Sequence, residues 1–293
     1  MVVNLSAGPV EIRPGRTLYI RNLSLGDASR PDVNLICLHG TAASHQQYLP
    51  LLGALDKMLQ PIGSSLTCWL YDGVGLGDSP IVTDPNAYSD EEQQADLHAI
   101  LERVDKTRPT IFMGHSYGPM GMLKYLQKHP LESLQGCIFL STGFHDGPVP
   151  LENGGPGIFK LPLFLLSCLQ SLMTESFLNM GLDASADPAL VDAARKDCNA
   201  NDMWVVQQYY KSHRWLSSSE AKEIIPLQTT PCLVVHGATD KIIPIKSGQF
   251  VANQLQSELV VVENASHLVL VEQPEVVAKA ILNFLSTSIE YNN

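Results

Sequence analysis

The chain contains 293 residues, of which 45% are hydrophobic and 17% are charged. This balance suits a folded protein with a sizeable core and excludes a disordered chain, because disorder requires low hydrophobicity together with high charge. Thirty acidic against nineteen basic residues give a net charge of −11 without any basic run, so nucleic acid is excluded as the expected partner.

The chain opens with a predicted β-hairpin, in which residues 10–12 and 18–20 flank the turn at 13–16. After the hairpin, short apolar strands alternate with helices. The remaining predicted strands are residues 33–38, 66–71, 110–113, 134–140, 231–236 and 258–262. The predicted helices are residues 47–60, 89–106, 119–128, 161–174, 188–195, 201–216, 246–256 and 273–286. This alternation predicts an α/β protein with a mostly parallel central sheet and helices on both faces.

Two local features refine this outline. Ser89 is the expected N-cap of its helix, and Glu92 would complete a capping box. The alternation stops after Gly143, and only helical patches follow until it resumes near residue 228. We therefore predict an α/β core formed by residues 1–143 and 228–293, interrupted by an all-helical insertion at residues 144–227.

The cysteines and the apolar stretches indicate the compartment. None of the six cysteines forms a C-x-x-C pair, and residues 1–10 lack the pattern of a secretory signal. The longest apolar stretch, residues 158–173, is shorter than the ~20 residues that a membrane-spanning helix needs. We expect buried free thiols in a soluble cytoplasmic protein with no membrane-spanning segment, and the oligomeric state stays open.

A G-x-S-x-G pattern occupies residues 114–118, after a predicted strand and at the start of a predicted helix. This context places Ser116 on a tight turn, with its hydroxyl exposed and with the N–H groups of a helix N-terminus nearby. A serine hydroxyl needs a base at neutral pH before it can attack a substrate. The pattern therefore predicts that Ser116 is a nucleophile.

The base and its orienting carboxylate are expected on loops at the same edge of the sheet. His267 follows the last predicted strand, and Asp240 follows the strand before it. The carboxyl ends of parallel strands meet at one edge, where open α/β sheets bind their ligands. We therefore predict His267 as the base and Asp240 as the carboxylate that orients it. Asp146, beyond the strand at 134–140, is the alternative acid.

Acyl transfer also requires hydrogen-bond donors for the negative charge of the tetrahedral intermediate. One expected donor is the backbone N–H of Tyr117, at the start of the helix. The second is expected in the loop after strand 33–38, where small residues allow a close backbone approach. We predict the Thr41 N–H, with Ala42 as the next candidate, and interpret His39 as a brace of this loop rather than a base.

These residues together resemble the α/β-hydrolase superfamily, in its lid-bearing branch of small-molecule esterases, monoacylglycerol-type lipases and C–C bond hydrolases. The resemblance covers nearly the whole chain and includes the superfamily's order of serine, aspartate and histidine along the sequence. Its motifs are His39-Gly40, the elbow at 114–118, residues 236–240, His267 and the D-x-x-G-x-G-x-S stretch at 72–79. The resemblance implies the α/β-hydrolase fold, in which Asp72 and the glycines that follow it shape a turn near the active site.

Single features exclude several relatives. Epoxide hydrolases and haloalkane dehalogenases of the superfamily carry an aspartate where this chain has Ser116. The H-x-x-x-x-D motif of acyltransferase-like relatives is absent at His267, and no HGGG stretch follows His39. The glycines at 72–79 do not form a dinucleotide fingerprint either, because their spacing differs from G-x-G-x-x-G.

The predicted substrate contacts are His115, Ala42, Phe164 and Trp204. The resemblance implies that the insertion at 144–227 covers the site as a lid. For its apolar helix, packing against the core, an acyl- or terpenoid-binding wall and an interfacial membrane contact all stay open. No cationic clamp for an anionic substrate is evident, although Arg195 or Arg214 can still turn inward.

We predict a serine hydrolase that cleaves a small or medium, mostly uncharged carboxylic ester through an acyl-enzyme on Ser116. This chemistry needs no cofactor, and the histidines show neither H-x-x-x-H nor H-E-x-x-H metal-binding spacing. A C–C bond hydrolase or lactonase with the same three residues is the alternative enzyme, since these residues do not encode the substrate. A ligand receptor that keeps the hydrolase fold is the alternative from another class.

Overall fold

A computed structural model describes residues 3–27 and 33–288 of the chain. Its strands are β1 (Val3–Arg13), β2 (Arg16–Gly26), β3 (Val33–Leu38), β4 (Ser65–Tyr71), β5 (Thr110–His115), β6 (Leu134–Leu140), β7 (Cys232–Gly237) and β8 (Glu258–Val262). They form one sheet in the order β1-β2-β4-β3-β5-β6-β7-β8. Strand β2 is antiparallel to both of its neighbours, and all pairs from β4 to β8 are parallel. The predicted mostly parallel sheet is confirmed.

The helices cover both faces of this sheet. They are α1 (Leu49–Leu59), α2 (Asp90–Leu101), α3 (Gly118–Lys128), α4 (Leu163–Gly181), α5 (Pro188–Ala200), α6 (Met203–Ser212), α7 (Ser218–Lys222), α8 (Ile245–Leu255), α9 (Val269–Glu272) and α10 (Pro274–Ser288). Helices α1, α9 and α10 pack on one face, whereas α2, α3 and α8 pack on the other. Strands β3, β5 and β7 are consequently buried along their whole length.

The register aligns the carboxyl ends of the parallel strands at one edge of the sheet. Leu38, the last residue of β3, pairs with Gly114 near the end of β5. Gly237 at the end of β7 pairs with Val262 at the end of β8. The loops that follow these strands therefore leave the sheet side by side, which brings their residues within contact distance.

Between β6 and β7 the chain forms helices and turns without a strand, and this stretch lies wholly within the described ranges. We refer to residues 144–227 as the helical segment; its exact limits stay a prediction. Helix α4 starts at Leu163, after Pro162, and continues to Gly181, seven residues beyond the predicted end at 174. Nowhere in the described ranges does a helix have the length and apolarity needed to cross a membrane.

Helix α2 starts after the predicted N-cap, but it lacks the predicted capping box and ends earlier than predicted. The Oγ of Ser89 accepts from the N–H of Glu92 at 3.3 Å, as expected for the N-cap. The Glu92 carboxylate, however, pairs with the Arg13 guanidinium of β1 and does not complete the predicted capping box. The helix ends at Leu101 rather than at residue 106. Beyond its end, the Asp105 carboxylate accepts from the N–H and the hydroxyl of Thr107, at 3.0 and 2.6 Å, and this local turn replaces the last predicted helical turn.

All six cysteines lie in the described ranges, and all are free thiols. Four of them are buried in strands, as predicted: Cys37, Cys68, Cys137 and Cys232. Burial raises the pKa of the Cys68 thiol well above its ordinary value. Cys168 on α4 is exposed, whereas Cys198 on α5 is partly buried.

Candidate active site

Ser116 lies in the turn between β5 and α3, with a positive φ of 57°. A non-glycine residue adopts this left-handed conformation only where its surroundings enforce it. The Ser116 N–H donates to the Leu140 carbonyl at 2.9 Å, and its own carbonyl accepts from the Thr142 hydroxyl at 2.6 Å. The end of β6 thus fixes both sides of the serine backbone, and the side chain is held clear of the strand and the helix.

The glycines around Ser116 allow several backbones to meet here. A Cβ atom at Gly118 would lie 2.1 Å from the Leu38 carbonyl oxygen, and one at Gly114 would lie 2.6 Å from the Pro119 nitrogen. At Gly40, in the loop after β3, a Cβ would lie 3.1 Å from the Ser116 Cβ. The absence of side chains at these positions therefore brings the loop after β3 against the serine.

We expect Gly118→Ala to destabilise the fold by about 3 kcal/mol, because the added methyl group meets a strand carbonyl that cannot move aside. Urea denaturation measures the free energy of unfolding. Gly53→Ala is the matched control. A Cβ there meets no atom within 4 Å, and alanine in the helix α1 should stabilise by roughly 0.5–1 kcal/mol. Equal stability of the Gly118 variant and the wild type would contradict the close approach.

Ser116, His267 and Asp240 form a continuous hydrogen-bonded series. The Nε2 atom of His267 lies 3.0 Å from the Ser116 Oγ, and its Nδ1 lies 2.9 Å from the Asp240 Oδ2. The carboxylate accepts the Nδ1–H, which leaves Nε2 free to accept the serine hydroxyl proton. The structure thus brings together the three residues predicted from three separate loops, with both His267 and Asp240 buried.

The environment of Asp240 favours the ionised carboxylate. Its Oδ1 accepts from the N–H groups of Ile242 and Ile243, both at 2.9 Å. The Nε2–H of His236 donates to the Ile243 carbonyl at 2.7 Å and lies 3.3 Å from the Asp240 Oδ2. Burial alone would raise the pKa of Asp240, but the charge of His267 and the hydrogen bonds from both histidines outweigh it and hold the pKa well below its ordinary value.

The alternative acid, Asp146, has a different role in the structure. Its two carboxylate oxygens accept from the backbone N–H and the hydroxyl of Ser218, each at 2.7 Å. These bonds hold the start of α7. The partner of His267 is therefore Asp240.

The two predicted oxyanion donors come from different loops. Thr41 lies in the loop after β3, which Gly40 brings against Ser116, and Tyr117 directly precedes α3. Within the described ranges, neither backbone N–H donates to another group of the chain. His39 braces the loop as predicted, since its Nδ1 is 2.8 Å from the Gly40 carbonyl and its Nε2 is 3.0 Å from the Gly73 N–H.

Phe164, predicted as a substrate contact, lies on an exposed side of α4. Its side chain is 67% exposed, whereas that of Leu166 is fully buried. Phe164 and Leu166 are two residues apart on α4, which corresponds to a rotation of about 200° around the helix axis. Because Leu166 faces inward, Phe164 therefore faces outward. The sequence of α4 is apolar on nearly every side and therefore gave no means of choosing the inward face.

Trp204 and His115, also predicted as substrate contacts, both contact other parts of the chain. The Trp204 ring packs edge-on against Tyr88 at 5.3 Å, in an apolar cluster with Val205 and Tyr209. The His115 Nε2 lies 2.8 Å from the His267 carbonyl oxygen, and the side chain is buried. Burial and the charge of His267 lower the pKa of His115 to about 3. His115 is thus a neutral support of the loop that carries His267.

Ala42 is the predicted contact that meets the helical segment. Its carbonyl accepts from the Asn201 side chain at 2.9 Å. Its side chain packs against an apolar cluster that we call the inner cluster: Phe159, Leu161, Leu166, Met173, Met203, Val206 and Tyr210. Arg195 pairs with Glu175 and Asp192, and Arg214 pairs with Glu220. An apolar cluster of the helical segment therefore adjoins Ala42, and both arginines are paired within the helical segment.

Sequence reasoning missed three polar residues around the site, and only one of them had a signal. His236 lies at the end of β7, just as His115 ends β5, so a histidine at a strand end could have been recognised. Thr142 and His213, in contrast, act through contacts across the fold. His213 reaches Thr41, 172 positions earlier in the chain.

One group of side chains in the described ranges could in principle hold a metal ion. Ligand atoms of His45, Asp72 and Asp78 lie within 4.8 Å of one another. The Asp72 carboxylate, however, already accepts from the N–H and Nδ1–H of His45 and from the Asp78 N–H, at 2.6, 2.9 and 2.9 Å. These bonds fit the turn-shaping role that the resemblance implies for Asp72.

The chain belongs to the α/β-hydrolase-fold family, whose model matches residues 33–274. It is 28% identical over 280 residues to human protein ABHD8, an alignment that covers 93% of this chain and 60% of that protein. The chain thus spans about 60% of the length of this relative. A thermophilic esterase from Thermogutta terrifontis superposes with a TM-score of 0.74 at 18% identity, over 98% of this chain and 99% of the esterase. A bromoperoxidase from Bacillus anthracis superposes with a TM-score of 0.72 at 15% identity, over 96% and 100%. At these identities the two structures show the shared fold.

Proposed function

We propose that the protein is a serine hydrolase that cleaves a small or medium, mostly uncharged carboxylic ester through an acyl-enzyme on Ser116. The observation that carries this proposal is the hydrogen-bonded series from the Ser116 Oγ through His267 to Asp240, placed on a turn that fixes the serine backbone. Membership of the family and the fold shared with an esterase support the general class of reaction.

In the first half-reaction the Ser116 Oγ attacks the ester carbonyl carbon while its proton passes to the His267 Nε2. Asp240 keeps the Nδ1 side of the ring protonated and stabilises the imidazolium that forms. The negative charge on the former carbonyl oxygen is held by the N–H groups of Thr41 and Tyr117. When the intermediate collapses, the alcohol leaves with the proton from Nε2, and the acyl group stays on Ser116.

The second half-reaction reverses these roles with water. His267 takes a proton from a water molecule, and the resulting hydroxide attacks the acyl-enzyme carbonyl. The same N–H groups hold the second oxyanion. The bond to the Ser116 Oγ then breaks, the oxygen regains its proton from Nε2, and the carboxylic acid leaves.

The preference for an uncharged substrate is supported by the charges around the site. Arg195 and Arg214 are engaged in ion pairs with residues of the helical segment. Lys124 is buried and paired with Asp90. The inner cluster presents apolar side chains to Ala42, beside the proposed oxyanion donor Thr41. We assign to the helical segment the role of a lid, whose inner cluster would contact the acyl chain.

A fluorophosphonate probe tests the nucleophile directly. We expect one adduct per chain, located on Ser116 by mass spectrometry, and its loss in His267→Ala. A panel of esters of increasing acyl length, with a lactone and a 1,3-diketone included, then separates ester hydrolysis from lactonase and C–C bond hydrolase activity. A folded protein that forms no adduct and cleaves none of these compounds would contradict the proposed function.

The rate of ester hydrolysis should fall on acidification through a single ionisation. A protonated His267 cannot accept the serine proton. The pKa of Asp240 lies below its ordinary value, so its carboxylate is ionised at every pH above that ordinary value. The pKa of His115 is about 3, so this side chain is neutral over the same pH range. Log kcat/KM should therefore fall on the acid side with a limiting slope of one, because a single proton on the His267 Nε2 blocks the base. A flat profile would contradict His267 as the base.

A further inference from the structure

His213, the residue that follows α6, contacts both residues of the proposed oxyanion hole. Its Nε2 lies 2.7 Å from the Thr41 Oγ1. Its ring stacks on the Tyr117 ring, with the centroids 3.9 Å apart and the planes at 14°. The side chain is only 5% exposed, so these two contacts are shielded from competing water.

The backbone of His213 is itself held in place. Its N–H donates to the Tyr210 carbonyl at 3.2 Å, and its carbonyl accepts from the Gly154 N–H at 2.8 Å. The Tyr210 ring lies at 4.8 Å from the His213 ring and tilted to it. His213 is therefore a fixed point of the helical segment rather than a side chain that adapts to its neighbours.

Tyr117 is also held at the far end of its side chain. The phenol oxygen accepts from the Arg214 N–H at 2.8 Å and from the Lys124 Nζ at 3.0 Å. Lys124 is buried and pairs with Asp90. His213 thus fixes the ring face of Tyr117, and Arg214 and Lys124 fix its hydroxyl. All three residues lie outside the turn that carries the Tyr117 N–H.

We propose that His213 is a positioning residue that sets the spacing between the Thr41 and Tyr117 N–H groups. This inference rests on the proposed function. The two donors leave different strands, β3 and β5, so no single covalent turn fixes the distance between them. Donors stabilise an oxyanion only within a narrow range of distances, and a misplacement of about 1 Å can lower the rate about a hundredfold. His213 links the two loops through one hydrogen bond and one stacked ring.

The test is a double-mutant cycle on ester turnover. His213→Phe keeps an aromatic ring against Tyr117 but removes the bond to Thr41, and Thr41→Val removes the same bond from the other end. We expect each variant to lower kcat by about tenfold to a hundredfold with little change in KM, because the donors act on the transition state. The double variant should lose no more than either single one. Thr41→Ser keeps the hydroxyl that bonds to His213 and should recover most of the kcat that Thr41→Val loses.

His145→Phe is the matched control, since it replaces an exposed histidine of the same helical segment, and it should leave kcat unchanged. Thermal unfolding checks that each variant is folded. Three results would overturn the inference: losses in kcat that multiply in the double variant, a rise in KM without a fall in kcat, or no loss of kcat in His213→Phe. In each case, Ser116-dependent turnover by the wild type would still support the proposed function. A wild type without Ser116-dependent turnover would overturn both.

Discussion

Ser116→Ala should lower kcat for ester hydrolysis by about five to six orders of magnitude, because the variant has no atom that can form the acyl-enzyme. The fold should survive the change. Alanine keeps the Cβ, so the positive φ of the turn costs no more than it does with serine. The bonds that fix this turn, to Leu140 and from Thr142, use only the backbone of residue 116.

Steady-state kinetics and thermal unfolding of the same preparation measure these two effects. Ser286→Ala is the control, because it removes an exposed hydroxyl on α10 that bonds to the Asn283 carbonyl of the same helix. Its kcat should match that of the wild type. Ester hydrolysis by Ser116→Ala within about tenfold of the wild-type rate would rule out the acyl-enzyme mechanism, since the loss of a nucleophile costs far more than this.

Asp240→Asn should lower kcat by about three to four orders of magnitude through the tautomer of His267. The N–H groups of Ile242 and Ile243 require an acceptor at the Oδ1 position. The amide oxygen of asparagine would take this position, and its NH₂ group would face the His267 Nδ1. A ring that accepts at Nδ1 carries its proton on Nε2 and can no longer accept the Ser116 proton.

The same variant should change the pH dependence of stability. The pKa of Asp240 is depressed in the folded protein, so the carboxylate contributes stability above its ordinary pKa, and this contribution is lost as the pH falls through the folded value. The difference in Tm between the wild type and Asp240→Asn should therefore shrink as the pH falls below about 4. Asp146→Asn is the kinetic control, because Asp146 holds α7 and not His267; its kcat should stay near the wild-type value. A kcat for Asp240→Asn near that of wild type would contradict the orienting role.

The strands and the central residues of the site were predictable because their signals are local. The apolar runs at β3, β6 and β8 begin and end in the structure at the predicted residues, since each is bounded by polar or turn-forming positions. Ser116 directly follows β5, and Asp240 and His267 lie in the loops that follow β7 and β8. In a parallel sheet this position along the chain determines the position in space, so their convergence followed from the order of elements.

The helical segment could not be predicted in the same way. Residues of α4 are apolar on nearly all sides, so the sequence did not show that Leu166 faces inward and Phe164 outward. Trp204 packs on Tyr88, a contact set by the docking of α6 rather than by either sequence neighbourhood. Outside this segment, the carboxylate of Glu92 likewise pairs with Arg13 of β1 instead of completing a capping box. Contacts between distant segments decided each case.

The distribution of thiols gives the wild-type chain a natural attachment point for a spectroscopic reporter. The strand cysteines Cys37, Cys68, Cys137 and Cys232 are buried, and burial raises the pKa of Cys198 to about 11, so little thiolate forms there at neutral pH. Cys168 is exposed on α4. A maleimide fluorophore or nitroxide should therefore label the helical segment selectively without cysteine replacement. Its signal on ligand addition measures the displacement of α4 relative to the sheet in the otherwise unaltered protein.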